Sequence, residues 1–309
     1  MANSEKPLYI NDQQWSVLTE FDNPWPWLQT RRFRTQPAGL KIPGSDSEID
    51  PWIPFLPNDL IEGEVGIGEH KRRLNRVVIT TDSGIGKTAT TEYLEYRFNL
   101  PDTRKTCFRL TVADICRADG PLGSSSTEVN VNLIEFLAGR IRNASTKLSW
   151  GVQESRQYVR RIARTGRLVL VIDGLDQPAG SIERLTTVLE SPFWNQTQII
   201  LAGRPYSLNR HRDDFLNSPN WTFLRLEELT PTQQATYLGD RYQKIPDEAR
   251  SILSIPRVLY YLKHKMSEAE IAAAKTPADV FYGAIKEMIN QALAGSDIAR
   301  RLGAESRSH

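Results

Sequence analysis

Between about Arg76 and Leu226 the 309-residue chain alternates short apolar runs with stretches of helical periodicity, a pattern that few folds accept. The runs are Val77–Thr80, Cys107–Val112, Leu168–Ile172, Ile199–Leu201 and Trp221–Leu226. Between them Val129, Leu133, Phe136, Leu137 and Ile141 recur at helical spacing, as do Val159 and Ile162 in a polar stretch. Strands that are apolar on both faces and alternate with helices pair in parallel, and helices cover both sides of their sheet. The expected fold class is α/β, a three-layer sandwich around a parallel sheet.

After Leu226 the strand signals stop. Thr230 can cap a helix, Pro231 suits its first turn, and Gln233 completes an S/T-x-x-E/Q box ahead of Ala235, Leu238 and Tyr242. Further helices fit Asp247–Leu253, Arg257–Lys265 and Ala278–Leu293, so residues 227–294 read as a small helical subdomain and 295–309 as a polar tail. Residues 1–60 hold eight of the eighteen prolines and four of the seven tryptophans (Trp15, Trp25, Trp27, Trp52). Proline fixes φ and removes a backbone donor, which argues against long helices or central strands. This segment reads as an extended arm that docks on the next domain, residues 61–226, through its tryptophans.

Composition removes several functional classes. The 39 basic and 37 acidic residues give a net charge of +2, so no whole-chain field argues for nucleic acid or acidic lipid. Two cysteines, Cys107 and Cys116, cannot build a disulfide framework and form no metal-ligand cluster, and they read as reduced, partly buried thiols. The four histidines are scattered away from any obvious nucleophile, which argues against a Ser/His or Cys/His hydrolase. No apolar stretch approaches the roughly 20 residues of a bilayer crossing, and MANSEKPLYI has no apolar run to serve as a signal peptide. No membrane partner is expected, and the expected location is cytoplasmic.

The chemistry begins at the first strand. RVVITTDSGIGKTATTEYL reads as strand, glycine-containing loop and helix. Gly84 and Gly86 let the backbone curl so that its N–H groups converge on phosphate oxygens, and the helix that follows adds its positive end. Lys87 then reaches the β- and γ-phosphates and the Thr88 hydroxyl coordinates Mg²⁺. The expected nucleotide cradle is Ser83, Gly84, Ile85, Gly86, Lys87, Thr88 and Ala89. The strict GxxxxGK[ST] pattern fails at one position, where Thr81 replaces glycine.

A second strand, in RLVLVIDGLDQ, ends in Asp173, where a Mg²⁺-associated carboxylate must stand; Asp176 is the candidate to orient the attacking water. Read by itself, Asp173-Gly174 is also an ordinary turn after a strand. QIILAGRPY is a strand ending in Arg204, either a cation that senses the γ-phosphate at the carboxyl end of the sheet or an arginine in a surface turn.

Together these segments resemble the NACHT family of the STAND class of P-loop NTPases, regulatory switches related to AAA+ ATPases. TTDSGIGKT resembles its Walker A segment, LVLVIDGLDQ its Walker B segment and LAGRP its sensor strand. LEELTPTQQATYL, SIPRVLYYL and ADVFYGAIKEMI are similar to segments of its helical subdomain, so the likeness covers about residues 60–293. The resemblance implies ATP or ADP (GTP is the alternative) with Mg²⁺, a sheet in the order 5-1-4-3-2, and a nucleotide between core and helical subdomain. It carries Lys87 and Thr88 over as phosphate and metal contacts, Asp173 as the Walker B acid, Asp176 as the catalytic acid and Arg204 as the sensor. Pro256 matches a proline that packs near the base and holds the closed, ADP-bound state; it also fits the first turn of a helix. Gln177 stands where the family has Glu, which favours slow turnover or nucleotide locking.

Two further segments complete the reading. Residues 151–167 contain five arginines (Arg156, Arg160, Arg161, Arg164, Arg167) against one acid; this is a solvated helix face, or a contact to nucleic acid or a neighbouring protomer. GEVGIGEHKRR reads as a turn beside the base pocket, with Leu60, Ile61 and Glu62 as weak base-site candidates. Family members carry an effector domain before the NTPase and sensor repeats after it. The resemblance thus implies a homo-oligomer, or a partner protein that supplies sensing and output. The expected function is a nucleotide-dependent switch in signalling, in prokaryotic antiviral defence or eukaryotic innate immunity. The alternatives are an AAA+-like ATPase acting on nucleic acid, for DNA loading or transposition, and a nucleotide-bound scaffold without turnover.

Overall fold

The computed structural model describes residues 33–35, 54–55, 57–67, 70–116, 120–122, 129–144, 150–176, 182–205 and 221–294. In chain order their elements are β1 Phe33–Thr35, β2 Pro54–Phe55, α1 Pro57–Glu62, β3 Glu64–Ile67, β4 His70–Arg73, β5 Arg76–Thr80, α2 Lys87–Phe98, β6 Thr106–Thr111, α3 Val112–Cys116, α4 Val129–Ala144 and α5 Val152–Arg164. There follow β7 Leu168–Asp173, α6 Ile182–Leu189, β8 Gln198–Gly203, β9 Thr222–Leu226, α7 Pro231–Leu238, α8 Pro256–His264, α9 Glu268–Ala273 and α10 Pro277–Ala294. The chain divides into two compact units, one of Met1–Asp82 with Lys87–Glu227 and one of Ser83–Gly86 with Glu228–His309.

The first unit is built on one sheet in the order β2-β1-β9-β5-β8-β7-β6. Its five strands β9-β5-β8-β7-β6 are all parallel. Counted by position in the chain they run 5-1-4-3-2, so the α/β fold class is as the sequence implied and the strand order as the resemblance implied. β5, β7 and β8 are buried at every position, which is why their sequences are unbroken runs of Val, Ile and Leu rather than alternations. Leu110, Leu170, Ile172, Ile199 and Leu201 pack with Leu133, Leu137 and Ile141 of α4 and with Val159 and Ile162 of α5. Val169, Val171 and Ile200 point the other way, since side chains alternate along a strand. α2 packs on β6, β7 and β8 there and buries Tyr93, Leu94 and Phe98.

A positive charge lies deep in this unit. Arg76, 7% exposed at the start of β5, donates from Nη1 to the carbonyls of Asn75 (3.1 Å) and Thr197, and from Nη2 to those of Leu189 (3.1 Å) and Trp194 (2.8 Å). Burial pushes its guanidinium pKa down to about 10, with Glu190 opposing the shift. The arginine therefore ties the end of α6 and the start of β8 to the central strand.

Four strands, β1 to β4, were not assigned from sequence. β1 pairs antiparallel with β9 and β2 with β1, in three- and two-residue ladders too short to leave a periodic signal. The tryptophans expected to dock the arm lie outside the described residues, as does the 295–309 tail. GEVGIGEHKRR is more than a turn: β3 and β4 form an antiparallel hairpin in which Glu64 faces Arg73 and Ile67 faces His70.

The second unit is helical. The expected capping box is present: Thr230 Oγ1 accepts from Gln233 N (3.4 Å), and Gln233 Oε1 accepts from Thr230 N (2.8 Å). Asp247–Leu253, expected as an α-helix, is a 3₁₀ segment over Asp247–Ser254. It lies between Pro246 and Pro256, and the residue before a proline is held out of the α region, as Ile255 shows with φ −89° and ψ 109°. α9 escaped the sequence reading although Ser267 and Glu270 form a second capping box at its start.

Candidate functional site

The loop after β5 leads into α2. Gly84 and Gly86 have φ of +86° and +94°, the left-handed region that glycine enters without steric cost. Thr81 is not among the residues with positive φ, so the missing first glycine needs no unusual backbone there. Its N–H donates to Gly203 O (3.2 Å), which ties the loop's start to the carboxyl end of β8.

Lys87 is the first residue of α2, and its ammonium forms an ion pair with Asp173 Oδ1 at the carboxyl end of β7. It also lies 3.7 Å from Asp176 Oδ1, and Arg204 Nε lies 3.1 Å from Asp176 Oδ2. Two cations and two carboxylates thus alternate: Lys87 touches both acids, and Arg204 touches the second. Asp173 is not a surface turn residue, because its side chain is only 8% exposed and its carboxylate faces Lys87. The turn itself is closed by the N–H groups of Gly174 (3.0 Å) and Leu175 (3.1 Å), both donating to Ala202 O. Arg204 keeps both of its readings, as an exposed residue just past a strand that is also paired with Asp176.

Thr88, the second residue of α2, is exposed, as is Ser83; Ala89 is half-buried and Ile85 buried. Two residues that the motif reading did not name belong to this place. Thr91 Oγ1 donates to Thr88 O (2.8 Å) and lies 3.5 Å from Asp173 Oδ2. Arg225, near the end of β9, donates from Nη2 to Asp82 Oδ2 in the loop (2.8 Å). Neither pairing is visible without the parallel register that sets β7 and β9 beside the loop and α2.

In the second unit the loop residues Ser83–Gly86 group with the start of α8. Arg257 N donates to Gly84 O (3.4 Å), and a Cβ on Gly86 would stand 3.6 Å from Pro256 Cγ. Pro256 is therefore both a first-turn proline and a neighbour of the glycine loop.

Two expectations change and one is not reached. Leu60 and Ile61 are buried, and their carbonyls accept from Gln198 Nε2 (2.7 Å) and Lys105 Nζ (2.9 Å). Gln198 opens β8 whereas Arg204 follows its end, and six residues of strand span about 20 Å. Leu60 and Ile61 thus belong to the amino end of the sheet, at the opposite end of β8 from Arg204. The cysteines, read as partly buried, are buried outright. Gln177 lies outside the described residues.

Chemically, the constellation suits a phosphate with a hard cation. Backbone N–H groups at the start of α2 and the Lys87 ammonium favour anions. Thr88, Asp173 and Asp176 offer oxygen donors of the kind Mg²⁺ takes, one or two carboxylates being enough when phosphates complete the shell. The Asp173 carboxylate already faces an ammonium and is placed to meet a cation. Among the described residues no cluster of His, Cys, Asp and Glu suits a metal bound by protein alone.

No family model matches the chain, and no curated protein does. Among solved structures it is similar to ORC2 of Aeropyrum pernix in ADPNP-ADP complexes, with 16% identity, a TM-score of 0.40, and coverage of 74% of this chain and 64% of that one. The ADP form of the same protein gives 16% identity, 0.39, 74% and 64%. A structure described under katanin self-assembly gives 12% identity, 0.34, 69% and 71%. The chain thus spans 64% of the length of ORC2. The parallel order 5-1-4-3-2, with the glycine loop after the first strand and Asp173 at the end of the third, makes the first unit an α/β fold of the P-loop NTPase type.

Proposed function

We propose that the protein is a nucleotide-dependent switch: a P-loop NTPase that binds ATP or ADP, with GTP as the alternative, and hydrolyses the triphosphate slowly. The observation that carries this reading is the chain of contacts Arg204–Asp176–Lys87–Asp173 at the carboxyl ends of neighbouring parallel strands, where such sheets bind ligands. Lys87 exchanges Asp173 for the β- and γ-phosphates. Thr88 and Asp173 hold Mg²⁺, which when bound supplies charge neutralisation on the phosphates. Asp176 orients a water molecule for attack, and Arg204 holds Asp176 in place and faces the terminal phosphate.

A ligand shifts a conformational equilibrium only through contacts that differ between the two states. Arg204, which meets a γ-phosphate in ATP alone, and Pro256, beside the glycine loop, are the residues proposed to supply them. The resemblance of the motifs to NACHT-type switches supports the finer reading, in which exchange of ADP for ATP drives assembly with further copies or a partner protein in defence signalling.

The test is to denature the purified protein, identify any released nucleotide by chromatography, and measure solution mass with ADP and with a non-hydrolysable ATP analogue. Lys87→Ala removes charge-assisted hydrogen bonds to phosphate, each about 1.5–3 kcal/mol, so nucleotide affinity falls roughly 10–150-fold and the mass no longer responds. A Lys87→Ala protein that retains nucleotide and still changes mass overturns the mechanism.

A further inference from the structure

The amino end of the sheet carries a second charged surface, far from the nucleotide residues. α5 buries Ser155, Tyr158, Val159, Ile162 and Ala163 against the core and turns its arginines outward. Arg156 is neutralised by Glu135 of α4. Arg160 and Arg164, one turn apart, have no carboxylate partner among the described residues, and Arg164 is exposed. The helix ends beside two more bases, where exposed Arg167 donates from Nε to the carbonyl of exposed Arg104 (2.7 Å). Arg104 has φ +53°, the one non-glycine residue with positive φ among the described residues. Such a conformation persists only where its surroundings hold it, and it is over-represented at functional sites.

From this we infer that Arg160, Arg164, Arg167 and Arg104 form a contact surface for the phosphate backbone of a DNA duplex. Residues 151–167 carry five arginines against Glu154, a net +4 in a chain whose total is +2, so the other residues together are net negative. Every base in the stretch is arginine and none is lysine. A solvated face is served equally by either, whereas the planar guanidinium fork matches phosphate oxygens in pairs.

The surroundings narrow the partner. A single-stranded nucleic acid needs exposed aromatic platforms for its bases. Here Tyr158 is 5% exposed with its hydroxyl on Thr106 Oγ1 (2.9 Å), and Trp150 packs on the core. A lipid surface needs exposed apolar side chains beside the bases. Val152, at the far end of α5, is the one large apolar residue of the helix that is exposed. What remains is attraction to a regular phosphate array, independent of base sequence. This inference does not depend on the nucleotide reading, because none of its residues touches the Lys87 site.

The experiment measures binding of a labelled, mixed-sequence DNA duplex by fluorescence anisotropy between about 50 and 200 mM salt. The full chain is compared with the triple variants Arg160→Ala/Arg164→Ala/Arg167→Ala and Arg160→Lys/Arg164→Lys/Arg167→Lys. For the wild type, log K falls with log salt with a slope of roughly −3 to −4, near −0.9 per phosphate neutralised. The alanine variant loses about 3 from that slope and at least tenfold in affinity at the low-salt end, while the lysine variant keeps the slope. Both variants keep the wild-type thermal midpoint and nucleotide content. An alanine variant with wild-type slope and affinity overturns the inference. So does a wild type that ignores the duplex but binds polyglutamate, which assigns the face to an acidic protein.

Discussion

Gly84 and Gly86 allow a comparison at single-residue scale, because the same strain is set in two different surroundings. A Cβ at Gly86 meets Pro256 at ordinary contact distance, 3.6 Å, so Gly86→Ala costs only the left-handed conformation, about 1–3 kcal/mol. At Gly84 the same Cβ would stand 3.2 Å from Ile255 Cγ2, and Gly84→Ala adds crowding to strain. Thermal melts of the two variants are expected to rank Gly84→Ala below Gly86→Ala, and both below wild type. An inverted order would mean that the loop relaxes at Gly84. The glycines, Lys87 and Asp173 were legible in the sequence because their motifs are local, a few residues around one turn. Thr91 against Asp173 and Arg225 against Asp82 were not, because each pair is brought together only by strand register.

Elements are joined by groups whose charge state belongs to the fold. Glu95 of α2 accepts from Arg109 N (3.2 Å) and Arg109 Nε (3.3 Å) on β6. Burial nevertheless pushes its carboxyl pKa above 4.5, with the Arg109 hydrogen bonds and charge pulling the other way. Since the folded-state value is the higher one, the contribution to stability is full below about 4.5 and is lost as pH rises through the folded-state value. Glu95→Gln should remove this share of the pH dependence, at most about 1.4 kcal/mol per pH unit, in urea midpoints measured from about pH 4 to 7. An unchanged profile would place the titration elsewhere. The same scale shows where sequence reading ran out. The inner strands β5, β7 and β8 were legible because burial on both faces leaves apolar runs, and β6 and β9 because their remaining apolar residues flank a single arginine each. The β3–β4 hairpin was not, because glycine and the His-Lys-Arg-Arg run of β4 carry no apolar alternation.

For the molecule as a whole, the sheet is wider than its parallel core. β1 covers the edge of β9, four of whose five residues are buried, through the pairs Phe33–Leu226, Arg34–Arg225 and Thr35–Leu224. Deleting residues 1–56 bares that edge, and an apolar strand edge recruits other chains. Light scattering is expected to show concentration-dependent aggregation of the shortened chain, with a thermal midpoint several degrees lower, at about 1 kcal/mol per lost ladder bond. A monodisperse shortened chain would mean that β9 is protected by something other than β1.

Both cysteines of the chain are sealed in the first unit: burial pushes the Cys107 thiol well up, and that of Cys116 to about 11. Burial thus keeps both thiols protonated at neutral pH, and only the thiolate reacts. The protein therefore comes ready for site-specific labelling. A cysteine introduced on its surface would take a maleimide dye alone, without prior removal of the native thiols, and distances between labelled surface sites could be followed in an otherwise unaltered chain.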